Sequence, residues 1–301
     1  MQIIILSVII FFSVPSLAQP SWTDKFTIKT TFELGDLKTY QVGEFFKIDN
    51  LFFGGRYEVE STVSFQVVDT AAGGYWINYR ASTNSVSQHR DSSAHIIAAL
   101  LNGIDLFIYA KNGHLQLDST KYADTKKRIA NELDSMSVKR AFGKTSNQFI
   151  QYLKSELKQE AGLGFLLAPL MLFEEYYSSR EFKKFRITVA GNARDILYKP
   201  LFNGEVGREW KSTSKDSLVK LNSIFTGHPF AAAQYYKSIY EPILAANGIR
   251  RGKHFWPPQM KYESNCIFHC QPGNSFPKSL NKKVVSEYIF RSVLKLEMTE
   301  I

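Results

Sequence analysis

The eleven residues Tyr57-Glu58-Val59-Glu60-Ser61-Thr62-Val63-Ser64-Phe65-Gln66-Val67 keep a period of two throughout. Successive side chains on a strand point to opposite faces, so this run presents one apolar face and one wet face. Such a segment settles as half-buried sheet. Ala72-Gly73-Gly74 turns the chain, and Tyr75-Trp76-Ile77-Asn78-Tyr79 returns with strong strand formers. Upstream, Phe26 to Phe32 alternates, Leu34-Gly35-Asp36 is a turn signal, and Leu37 to Ile48 is an aromatic-rich run broken by Gly43. Gly54-Gly55 punctuates before the long strand. The first third therefore reads as a β-meander.

Further along, Ala94 to Leu101 predicts a short helix, with Ser92 or Ser93 at its start and Asn102-Gly103 at its end. Asp105 to Tyr109 and His114 to Leu117 flank Asn112-Gly113, the strongest short-range hairpin signal. Asp118-Ser119 opens a helix with Tyr122, Ile129, Leu133 and Met136 near one stripe. Thr145-Ser146 opens another, whose apolar side is Phe149, Leu153 and Leu157, followed by Leu163 to Phe173. Gly162, Gly164 and Pro169 forbid a straight helix through Tyr177, so Leu163 to Phe173 reads as a kinked, buried helix. Strands are expected at Phe185 to Val189, Asp195 to Tyr198, Val284 to Phe290 and Val293 to Met298. Asn203-Gly204 reads as a turn, Leu218 to Phe225 is open between helix and strand, and Pro229 to Ala246 is a helix that Pro242 can kink. Strands segregate from helices, which predicts an α+β fold: a curved, mostly antiparallel, half-barrel-like sheet with helices packed on one face.

The chain is 44% hydrophobic, 14% aromatic and 22% charged, which excludes a disordered or collagen-like polymer. Residues Ile3 to Val14 are apolar apart from Ser7 and Ser13, about 12 residues and too short to cross a bilayer core. Ser16 and Ala18 place small side chains where signal peptidase needs them. The reading is a signal peptide over residues 1–18, cleaved after Ala18, on a secreted or periplasmic chain; an uncleaved anchor is the alternative. Residues 19–301 are expected to form a single α+β domain, or two units split near residue 145.

Export permits a disulfide between Cys266 and Cys270, the only cysteines. Their spacing sets a condition. In one extended strand the two Cα atoms would lie about 13 Å apart, whereas a disulfide needs roughly 4.4–6.8 Å. Gln271-Pro272-Gly273-Asn274 favours a turn and hence the disulfide. Free thiols are the alternative, and a metal site of Cys266, His269 and Cys270 is weaker still.

No catalytic motif stands out. There is no G-x-S-x-G, no H-E-x-x-H and no G-x-G-x-x-G, and the six histidines are scattered. Gly143-Lys144-Thr145 is no phosphate loop, because Val138 stands where a glycine is required. No cofactor and no metal is expected. The formal charge is 37 − 28 = +9, in clusters such as Lys126-Lys127-Arg128 and Lys282-Lys283 that form no single stripe. With export this points away from nucleic acid and toward an anionic membrane or surface polymer. Arg251, His254 and Trp256, in a segment stiffened by Pro257-Pro258, combine cations with aromatics suited to a phosphate, lipid head or glycan. Leu163, Phe165, Leu166, Phe173 and Tyr177 are placed to line a hydrophobic cavity or to cap a core.

Several features stand out together: a Gly-Asp-initiated strand, Gly35-Asp36-Leu37-Lys38-Thr39-Tyr40, the long alternating strand, the return Gly73-Gly74-Tyr75, and the turn-then-strand Lys111-Asn112-Gly113-His114-Leu115 before a helix. With Phe276-Pro277-Lys278 before paired strands, they resemble uncharacterised exported β-rich proteins of Gram-negative bacteria. Some of those have been likened to periplasmic lipoprotein carriers, where a curved sheet wraps helices around a hydrophobic cavity. The resemblance implies a non-catalytic binding protein that holds a lipid, or a lipoprotein-like apolar or amphipathic ligand, between sheet and helices. The first alternative is an envelope or surface interaction protein with a solid core. The second is a hydrolase built from distant residues, with Glu174 beside His254 or His269 as its first candidates.

Overall fold

A computed structural model describes residues 25–28, 31–49, 55–89, 93–139, 144–158, 163–178, 181–183, 187–194, 200–213, 218–246, 259–272, 274–287 and 291–301. The expected leader, the strand at Asp195 to Tyr198, and the Arg251, His254 and Trp256 segment lie outside the described residues.

The chain opens with β1 (Lys25–Thr27), β2 (Leu37–Asp49), β3 (Gly55–Ala71) and β4 (Gly74–His89). Helix α1 (Ser93–Leu101) precedes the hairpin β5 (Ile104–Lys111) and β6 (His114–Leu117). Helices α2 (Ser119–Lys139) and α3 (Lys144–Leu157), a 3-10 turn (Gly164–Leu166) and α4 (Ala168–Ser178) follow. Then come β7 (Glu181–Lys183), β8 (Ile187–Arg194), β9 (Pro200–Thr213), β10 (Leu218–Gly227), α5 (Pro229–Ala246), β11 (Lys261–Cys270), β12 (Ser279–Glu287) and β13 (Arg291–Glu300).

Eleven strands form one sheet in the order β6-β5-β4-β3-β2-β13-β12-β11-β10-β9-β8, antiparallel at every pairing. β1 pairs only with β7. The chain starts the sheet in its middle, steps outward to the β6 edge, crosses to the β8 edge, and steps back until β13 closes on β2. The crossing carries α2, α3 and α4. Helix α4 packs against β6 at one edge and against β12 and β13 in the middle. At about 4.8 Å per strand, β6 and β13 are roughly 24 Å apart along the sheet, so the sheet curls around the helix. The fold is α+β with a curved antiparallel sheet, as the segregation of strands from helices predicts.

The turns obey the local chemistry. Ala72 and Gly73, and Asn112 and Gly113, all carry positive φ in two-residue hairpin loops, the conformation that suits the twist of the flanking strands. Three expectations need correction. Asn203-Gly204 is no turn but lies inside β9, with Gly204 opposite Gly227 of β10. Pro169 is the second residue of α4, where its missing N–H costs nothing, and so it starts the helix rather than kinking it. Among the described residues of Phe26 to Phe32, only Phe26 and Thr27 are strand. Leu218 to Phe225 resolves as strand, because its odd-numbered residues Val219, Leu221, Ser223 and Phe225 are all buried.

The core lies inside the curve. Phe65, Tyr79, Phe173, Tyr176, Tyr177, Phe268 and Phe276 are all essentially sealed from solvent. Phe173 packs on Phe65 at 4.6 Å and Phe276 at 5.7 Å between ring centroids, and Tyr176 meets Phe268 edge-on at 5.4 Å. Phe276 reaches this cluster from the loop between β11 and β12, and Tyr40 Oη anchors that loop by donating to the Pro277 carbonyl at 2.8 Å. A smaller cluster forms where α5 lies over β9, β10 and β11, with Phe202, Phe225, Ala232, Ala233 and Met260 at its centre.

Candidate ligand-binding site

The inner face can be read row by row from the strand register. One row runs Trp210, Leu221, Phe268, Leu280, Met298, Val42 from β9 to β2 and packs into the main core. Two residues along every strand, the next row runs Arg208, Ser223, Cys266, Lys282, Leu296, Glu44. The row after that runs Val206, Phe225, Ser264, Val284, Leu294. A charged band thus crosses the inner face between two apolar ones.

Helix α4 meets this band with Glu175. Lys282 Nζ donates to Glu175 Oε2 at 2.8 Å, and the two side chains are 21% and 25% exposed. Burial alone would raise the Glu175 carboxyl. Lys282, the Cys266 thiol and Arg208 outweigh it and hold the group below its ordinary value. Burial alone would lower Lys282; Glu175 foremost, then Cys266 and Tyr262, hold it above its usual range instead. Arg208 is held below its ordinary value by burial, against the pull of Glu175. The Arg208 Nε is buried with no hydrogen-bond partner. Lys282 pairs directly with Glu175, and Arg208, three strands away in the same row, acts on the same carboxylate through its charge.

Beyond the band the face is incompletely covered. Val206 packs against the α5 cluster. Val284 and Leu294 point inward, are half-buried, and belong to neither packed cluster among the described residues. Buried Ser264 and Ser286 and half-buried Tyr262 stand beside them.

The residues singled out from sequence fall in different places. Leu163, Leu166, Phe173 and Tyr177 are all in the sealed core. The side chain of Phe165, together with Arg251, His254 and Trp256, lies outside the described residues. The expected Cys266–Cys270 disulfide is corrected: both thiols are free and buried. They sit four residues apart on the same face of β11, a strand with no turn between them. Burial pushes the Cys270 thiol up to about 12, and burial with Glu175 raises Cys266 well above its usual value. Glu174 and His269 do not converge. Glu174 is buried on α4 inside the curve, whereas His269 alternates with Phe268 onto the outer face, its Nδ1 2.9 Å from Ser279 Oγ. Arg208 was not anticipated, and nothing local marks it; Glu175 stands out in sequence only within Glu174-Glu175 at the end of an apolar run, a pair suited to acid–base work or to a solvated helix face rather than to the ion pair with Lys282 that it makes.

Elsewhere, a solvent-open recess of about 400 Å³ is lined by polar residues including Glu33, Asp36, Lys38 and Asn274. Among the described residues no three His, Cys, Asp or Glu gather at metal-binding distance. No described helix is long and apolar enough to cross a membrane.

No family model matches the sequence, and no curated protein matches it. Among solved structures, one on lipid–protein interactions in lipovitellin aligns with 90% of this chain and 25% of that chain, at 7% identity and a TM-score of 0.42. The chain spans about a quarter of the length of that structure's chain.

Proposed function

We propose that the chain is an exported, non-catalytic binding protein that holds an apolar or amphipathic ligand on the inner face of its sheet, between α4 and α5. The observation that carries this reading is the uneven filling of that face. On one side of the charged band the row from Leu221 to Val42 is fully buried in the main core, with Trp210 partly buried at its end. On the other, Val284 and Leu294 point inward and remain half-buried. Apolar side chains lining a concave surface, with a few charged groups at one margin, form the usual lining of a lipid or small-molecule site. The export part of the reading is supported by the Ile3 to Val14 run and the Ser16/Ala18 pair. N-terminal sequencing of the exported protein should begin Gln19-Pro20. The binding part is tested by titrating the mature protein with a fluorescent fatty-acid probe. Saturable binding at one site is expected, and its absence across several lipid classes would end the reading.

One observation favours the alternative of an interaction protein with a solid core. The rings of Phe65, Phe173, Tyr177 and Phe276 pack against one another at the centre of the curve. On that reading the lipid probe fails, and affinity capture from envelope extract yields a partner that Arg251→Ala and Trp256→Ala release.

A further inference from the structure

We infer that the ligand is a single-chain amphiphile with an anionic head, the head held between Arg208 and Lys282 and the chain lying over Val284 and Leu294. This rests on the reading above and names its ligand class. The argument starts from charge. Two cations, Arg208 and Lys282, stand in one inward row, and Glu175 pairs directly with Lys282 alone. The next inward carboxylate in the row, Glu44, stands two strands beyond Lys282, past Leu296. Within the strand row, Arg208 therefore has no carboxylate beside it. That position is also chemically incomplete: the Arg208 Nε is buried and donates to nothing. A buried donor without an acceptor costs about 1–3 kcal/mol, and an incoming carboxylate or phosphate oxygen satisfies it with a charge-assisted hydrogen bond. The hydroxyl group of Ser223, buried on the same face and directly across from Arg208, supplies a further donor nearby.

A free anion would need only the cations. The apolar row beside them argues for a tail. Val284 follows Lys282 by two residues on β12, so it lies next to the ammonium on the same face, and Leu294 is its cross-strand partner on β13. From Val206 to Leu294 the row crosses four strand spacings, about 19 Å at ~4.8 Å each. The β9 and β10 end of the row is already packed under α5, so the stretch left for the chain is the Val284 and Leu294 end. Head and tail sites are thus adjacent and of matching polarity.

The test uses the full mature chain and five measurements: binding of oleate, of oleyl alcohol with the same chain and no charge, and of inorganic phosphate to the native protein, and binding of oleate and oleyl alcohol to Arg208→Gln. Saturable oleate binding is expected, with oleyl alcohol at least tenfold weaker and phosphate alone undetected. Arg208→Gln should weaken oleate at least tenfold and leave oleyl alcohol unchanged. Equal affinity for oleate and the alcohol in the native protein would overturn the anionic head while leaving an apolar site standing, and this comparison holds whether or not the variant folds. Phosphate binding as tightly as oleate would overturn the amphiphile. Failure of both long-chain compounds would remove the functional reading and this inference together.

Discussion

At the scale of single residues, the side chains that decide the inner face are those whose surroundings oppose their ordinary chemistry. Glu175 is the clearest. Its carboxyl is held below the ordinary carboxylate value in the folded state, so the unfolded chain takes up the proton first as pH falls. Its stabilising contribution is therefore complete above the unfolded carboxyl's range and is lost as pH drops through the folded value. Glu175→Gln should cost on the order of 1–3 kcal/mol near neutral pH, between an exposed and a fully buried ion pair. The difference from the native chain should vanish in acid, as urea melts across pH will read. The two cysteines make a second prediction. Native protein should react with a thiol reagent slowly, because both groups are buried and raised, and unreduced protein in denaturant should give two thiols per chain. A count of zero would restore the disulfide. Sequence spacing posed this choice correctly, but the turn residues just after Cys270 weighed toward the wrong branch: they turn the chain after the strand, not within it. Gly204 misled in a similar way. Asn-Gly marks a turn when strands end there, yet here the glycine is needed because a Cβ would stand 2.3 Å from the Thr226 carbonyl oxygen. Gly204→Ala should destabilise by about 1–3 kcal/mol through overpacking, measured as a lower urea midpoint.

At the scale of elements, α4 is the piece around which the sheet curves. Seven of its eleven residues are buried, and its aromatics pack against β3, β11 and the Phe276 loop. Phe173→Ala should cost about 3–5 kcal/mol, as expected for removing a buried ring from a packed core, with a matching fall in thermal midpoint. The presence of this helix was legible because Leu163 to Phe173 is apolar with Pro169 near its start. Its role was not. An all-round apolar run says that a helix is buried, and it cannot say whether the helix lines a chamber or fills it. β11 shows the complementary limit. Lys261 to Cys270 mixes charged, polar and apolar residues, and its alternation emerges only once one face is known to meet α4. Strands with strict alternation, such as β3, declared themselves; β11, whose inner positions hold Ser264 and Cys266, did not, and β12 was legible only from Val284 on, past Lys282, yet these strands build the candidate site.

At the scale of the whole molecule, the sheet is held together by a seam between residues that are far apart in sequence. β13 pairs with β2 from Arg291 opposite Asp49 to Glu300 opposite Tyr40, and this ladder alone joins the two meanders edge to edge. Sequence patterning identifies strands but not such distant partners, so the α+β class was legible and the strand order was not. Closure of this seam brings Lys282, Val284 and Leu294 into line with Arg208 on one curved face, and the proposed function depends on that alignment. The most direct test is amide hydrogen exchange of the mature chain with and without oleate, read by peptide. Slowed exchange concentrated in β9 to β13, over Arg208, Ser264, Lys282, Val284 and Leu294, is the predicted result. Saturable binding with protection confined to the outer face, or to segments away from these strands, would contradict a ligand held on the inside of the sheet.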